Sequence, residues 1–153
     1  MAQVTLDGYI ARPDGKRDWY LNPDKYGVTK FFSGSAAKLY TEDGKIFAEY
    51  ADKRLLSGNS LSEVMEQLGE IDGYLSVEVF PTSMCQLVEE LFRLQLVTEV
   101  HRLLIPVRLD GGFRCPAFNK AIEGLHPVSD ERLRDGISYS VYRLAPGSAE
   151  DAL

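Results

Sequence analysis

Residues 77-VEVFPTSMCQ-86 set a carboxylate, Glu78, just before a proline-threonine-serine turn. Val77 and Val79 flank Glu78 in what reads as a buried strand. A carboxylate there must reach the strand end, pair with a cation, or serve a ligand. Pro81-Thr82-Ser83 then opens a helix, and a strand running straight into a helix N-terminus offers unpaired amides to a phosphate. Phosphate-binding turns of this kind usually carry glycine, which lets the backbone approach the ligand closely. Here the positions before the proline are Val79 and Phe80. Three readings stay open: a nucleotide site, a former one, and a plain strand-helix corner. Elsewhere, Asp7-Gly8 reads first as a turn in which aspartate bonds its own backbone, and Trp19 first as a packing aromatic.

Other reactive side chains are sparse. Cys85 and Cys115 lie thirty residues apart, and His101 and His126 are also far apart. No spacing among them suits a metal or a disulfide framework, so we expect reduced thiols in a cytoplasmic protein and no metal. The formal charge is −6, from 17 Lys and Arg against 23 Asp and Glu. That balance argues against binding nucleic acid through a dense basic face. The N-terminus lacks a charged region followed by an apolar run, so no signal peptide is expected. No apolar stretch approaches the ~20 residues that span a bilayer. The 153 residues suit a single domain over 1–145 with a flexible polar tail at 146–153.

The elements that must position these residues are unevenly legible. Residues 2–11 read as a strand entering a loop. Residues 29–56 are ambiguous: 42-EDG-44 is a turn, and 45-KIFAEY-50 fits strand or helix. In 59-NSLSEVMEQLGE-70, Ser60 and Glu63 form a capping box, and Leu61, Val64, Met65 and Leu68 share one helical face. Residues 73–79 read as a strand. A second helix follows, with Ser83 and Gln86 as another capping box. Its stripe is Met84, Leu87, Val88 and Leu91, extended by Leu94 or Gln95. Residues 99–109 suit a central strand, and 121–144 suit two strands joined through Arg134-Asp135-Gly136. The pattern predicts an α/β sandwich with a mixed sheet.

Three pieces in order carry a resemblance: 4-VTLDGYIARPDGKRDW-19, 77-VEVFPTSMCQLVEEL-91 and 96-LVTEVHRLLIPVRLDGG-112. Together they resemble the dihydrofolate-reductase-like C-terminal domain of bifunctional riboflavin biosynthesis proteins and its stand-alone relatives. The resemblance implies a three-layer sandwich with a mostly parallel mixed sheet and antiparallel C-terminal strands. It also implies a homodimer that uses NADPH to reduce a ribosylaminopyrimidine or pterin-like molecule. Carried over residue by residue, Val4 and Trp19 line the nicotinamide side, and Asp7 with Gly8 shapes the loop above the ring. Glu78 faces the substrate. Phe80, Pro81, Thr82 and Ser83, on to Gln86, run beneath the cofactor phosphates. Asp7 and Glu78 are then the catalytic candidates.

The chain departs from that pattern twice. The family's paired glycines before Pro-Thr are Val79 and Phe80 here, and side chains there crowd a diphosphate. The Gly-Arg-x-Thr-Tyr-like segment that normally follows the Asp-Trp region is absent. A catalytically inactive dimeric protein of the same fold, with a degraded cofactor site, is therefore the alternative expectation.

Overall fold

The computed structural model describes residues 1–28, 34–50, 52–69, 73–79 and 83–144. In chain order its elements are β1 (Ala2–Thr5), a 3-10 turn (Pro23–Tyr26), β2 (Ser35–Glu42), β3 (Lys45–Tyr50), β4 (Leu55–Gly58) and α1 (Leu61–Leu68). There follow β5 (Tyr74–Val77), α2 (Met84–Arg93), β6 (Glu99–Ile105), α3 (Pro116–Ile122), β7 (Ser129–Arg132), a 3-10 turn (Arg134–Gly136) and β8 (Ser138–Arg143). The chain gathers into two compact units, residues 21–78 and residues 1–20 with 79–153. Among the described residues no helix is long and apolar enough to cross a membrane. The expected tail at 146–153 lies outside them, as does Phe31-Phe32, which the sequence offers as a candidate strand start.

In the unit formed by residues 21–78, one sheet has the order β4-β3-β2-β5. Asp43 and Gly44 connect β2 to β3 with φ of 51° and 78°. Two successive residues in that region make a tight reversal, which can only join antiparallel strands. The ambiguous segment 45–50 is therefore a strand, with Leu39 opposite Ala48. Both are buried, as are Ala37 and Ile46. Helix α1 lays Leu61, Val64 and Leu68 inward, as its spacing predicts. Its cap also holds: the Ser60 hydroxyl accepts from the Glu63 amide at 3.2 Å. Glu63 reaches back to the Asn59 amide at 2.9 Å rather than to that of Ser60. Strand β5 then returns parallel to β2.

In the other unit the sheet order is β1-β6-β8-β7. β1 runs parallel to β6, and β8 is antiparallel to both β6 and β7. The antiparallel C-terminal strands are as expected. The mostly parallel sheet is not: across both described sheets, two strand pairings are parallel and four antiparallel. The hairpins β2-β3-β4 and β7-β8 account for the difference. Helix α2 buries Met84, Leu87, Val88 and Leu91. Leu94 and Gln95, expected to extend that stripe, are exposed because the helix ends at Arg93 and Gln95 turns to φ 57°. α3 buries Phe118 and Ile122 and packs against α2.

Strands β6 and β8 share a polar tie. His101 Nδ1 lies 2.6 Å from the Tyr139 hydroxyl, and Nε2 lies 2.9 Å from Glu99 Oε1. Arg143 Nη2 stands 4.0 Å from the other Glu99 oxygen. The His101 side chain is 12% exposed. Burial holds its imidazole below the ordinary histidine value, and the Glu99 carboxylate opposes that pull.

A depressed histidine pKa means the unfolded chain binds more protons below about 6.5. Stability from this group is complete above that pH and declines as pH falls through it. Urea midpoints measured from about pH 7.5 to 5 should fall more steeply for the wild type than for His101→Gln, since about 6.5 lies inside that window. Parallel profiles would contradict the assignment.

Candidate functional site

β1 and β6 run parallel, so their C-terminal ends lie side by side, with Val4 opposite Leu104 and Thr5 opposite Ile105. Past those ends the two chains remain zipped together. Leu6 donates to the Val107 carbonyl at 3.0 Å, Ile10 to Phe113 at 2.8 Å, and Phe113 to Ala11 at 3.0 Å. The open end of a parallel strand pair is where α/β sheets commonly place ligands.

Asp7 stands at this junction. Its Oδ1 accepts the Thr5 hydroxyl at 2.7 Å. Its Oδ2 accepts the amides of Leu109 at 3.0 Å and Asp110 at 2.8 Å. The Thr5 hydroxyl above all, and the Asp110 and Leu109 amides with it, hold the Asp7 carboxyl below the ordinary aspartate value against partial desolvation. An acid so stabilised as its anion is suited to holding loops, not to donating a proton near neutral pH. The backbone beside it is held from α3 and its approach. Arg114 Nη2 donates to the Asp7 carbonyl at 3.0 Å and Asn119 Nδ2 to that of Gly8 at 3.2 Å. The Arg114 guanidinium also lies 4.4 Å from the Tyr9 ring centre. Gly8 takes φ 86°, which favours glycine.

The remaining sequence candidates fall as follows. Val4 is a core side chain, 3% exposed. Trp19 is 8% exposed, tilted at 56° against Tyr20 with ring centres 6.2 Å apart. Its indole Nε1 is buried without a hydrogen-bond partner among the described residues. Ser83 is exposed, takes an αR conformation at φ −59° and ψ −20°, and makes no cap bond. The predicted second capping box therefore fails, because an N-cap residue needs extended geometry to aim its hydroxyl at the first turn. Phe80, Pro81 and Thr82 lie outside the described residues. Glu78 belongs to the other unit, where its Oε2 lies 3.6 Å from Lys38 Nζ and its side chain is 16% exposed. The structure thus gathers Val4 and Asp7 at one strand end, and gives Glu78 a cation.

Thr5, Arg114 and Asn119 were not singled out from the sequence. All three act through backbone or short-range bonds that leave no periodic signal. The segment 110-DGGFRCPAF-118 reads as a loop and nothing more.

The described residues fit the implied nicotinamide cofactor in part. Trp19 supplies a buried donor that lacks an acceptor among the described residues. Against that, Val79 is 4% exposed and its amide is already bonded to the Met1 carbonyl at 2.8 Å. The first donor of the strand-helix corner is thereby occupied. Among the described residues no group of three or more His, Cys, Asp and Glu is placed to hold a metal.

No family model matches the sequence, and no curated protein does. The fold is similar to the crystal structure of a protein from Shewanella sp. PV-4 described as a "putative riboflavin biosynthesis protein". The TM-score is 0.62 at 16% identity, covering 93% of this chain and 95% of that one. At that identity the likeness is one of fold.

Gly112 sets how closely the two zipped loops approach. It takes φ 148°, and a Cβ there would collide with the Ala11 carbonyl. Gly112→Ala should cost about 1–3 kcal/mol in urea unfolding, the usual range for a side chain forced into strained backbone. A change below ~0.5 kcal/mol, the scatter of an ordinary surface substitution, would show that the approach is loose.

Proposed function

We propose that the chain is an NADPH-dependent reductase acting on a heterocyclic or ribosylamino small molecule of the riboflavin or folate type. The observation that carries this reading is the indole N–H of Trp19, which has no hydrogen-bond partner among the described residues and is buried at the position that the sequence resemblance assigns to the nicotinamide side. The likeness in fold over 93% of the chain to a protein named for riboflavin biosynthesis supports it.

Bound NADPH would supply a hydride, and the protein's part is to bind, orient and exclude water. In this reading the Trp19 N–H donates to a polar atom of the ligand that enters beside it. The first turn of α2 lies toward the phosphates, with the positive end of its helix dipole favouring them. Asp7 takes no part in proton transfer; its anion keeps the loop of residues 5–9 fixed. The proton that follows the hydride comes from water.

The second reading, a non-catalytic protein of the same fold, is favoured by the Val79 amide being bonded to Met1. Titration with NADPH, followed by nicotinamide fluorescence, separates the two. The reductase reading expects saturable binding in the micromolar range. It also expects affinity lost by roughly five-fold in Trp19→Phe, the equivalent of one hydrogen bond of about 1 kcal/mol. Absence of binding at millimolar NADPH would overturn it in favour of the inactive protein.

A further inference from the structure

The sheet in residues 21–78 has two unlike faces. Residues two apart along a strand share a face, and so do residues directly paired across neighbouring strands. One face carries the buried Ala37, Leu39, Ile46 and Ala48. The other carries Lys38, Tyr40 and Glu42 of β2, paired in turn with Glu49, Phe47 and Lys45 of β3. Leu55 of β4, paired with Glu49, joins them and is 52% exposed. Lys38, Glu42 and Lys45 are exposed, and Tyr40, Phe47 and Glu49 are half-buried. The Tyr40 and Phe47 rings are stacked, with centres 5.2 Å apart and planes 16° from parallel. The four charges alternate in sign around those rings: Lys38 beside Glu49 at one end, Glu42 beside Lys45 at the other.

We propose that a second copy of this chain docks on this face, with a two-fold axis along the strands that lays β2 of each copy over β3 of the other. That rotation sets Tyr40 against the partner's Phe47, Lys38 against the partner's Glu49 and Glu42 against the partner's Lys45. Every cation meets an anion, which is what a patch must offer to complement itself. A ligand or partner of uniform charge would instead meet two like charges here whichever way it lay. Closing the faces takes Tyr40, Phe47 and Leu55 out of water, and an apolar centre inside a charged rim is the usual anatomy of a protein interface. Lys38 and Glu49 also have opposite charges within their own copy, Glu78 at 3.6 Å and Lys53 at 3.8 Å. Glu42 and Lys45 flank the Asp43-Gly44 turn and are the pair best suited to substitution. This assignment rests on one sheet and is independent of the reductase reading.

Sedimentation velocity of the full chain from about 5 to 200 µM tests it, and the wild type should pass from monomer toward dimer over that range. Glu42→Lys alone and Lys45→Glu alone should each weaken self-association roughly ten-fold or more, because like charges then face each other twice across the axis. An equimolar mixture of the two variants should dimerise at least as well as the wild type, since each cation again faces an anion on the other chain. No effect of either substitution within its own chain produces that recovery. The double variant Glu42→Lys/Lys45→Glu should also dimerise like the wild type, and it decides the question where a single variant folds poorly by circular dichroism. A wild type that stays monomeric throughout, a dimer that neither substitution weakens, or a mixture of folded variants as dissociated as its components would overturn the proposal.

Discussion

The Asp7 carboxylate accepts from the Thr5 hydroxyl and from the amides of Leu109 and Asp110. Those amides follow the end of β6, and Thr5 ends β1. One charged group therefore joins the exits of two parallel strands, beside the Leu6–Val107, Ile10–Phe113 and Phe113–Ala11 backbone bonds that zip the loops beyond them. Bonds from donors to an ionised acceptor are about twice as strong as neutral ones, and losing one partner leaves the others without a replacement. Gly112, Arg114 and Asn119 depend on the same closure. Each acts on backbone at Asp7, Gly8 or Ala11, and is useful only while the two loops lie side by side.

Legibility followed the range of the interactions. α1 announced itself because Ser60, Glu63 and the Leu61-Val64-Leu68 spacing are local, within one or two helical turns. α2 announced its buried face for the same reason, while its cap was misread: the Ser-x-x-Gln pattern is present, but the Ser83 backbone is already helical. The β2-β3 hairpin was legible only at its turn, since 45-KIFAEY-50 satisfies either period. Two of the Asp7 partners, the Leu109 and Asp110 amides, stand more than a hundred residues away in sequence, so Leu-Asp-Gly could be read as a turn but not as a staple.

The candidate site combines features that pull in different directions. Among the described residues the buried Trp19 donor has no acceptor, an arrangement that a ligand atom would relieve. Val79 has already given its amide to Met1, which removes one donor from the corner where phosphates would rest.

The central claim is that Asp7 holds the ends of β1 and β6 together. Amide hydrogen exchange in the wild type and in Asp7→Ala tests it residue by residue. The account predicts that Leu109 and Asp110 lose their protection in the variant while Leu103, inside β6, keeps its own. Unchanged protection at Leu109 and Asp110, or equal loss at Leu103, would contradict it.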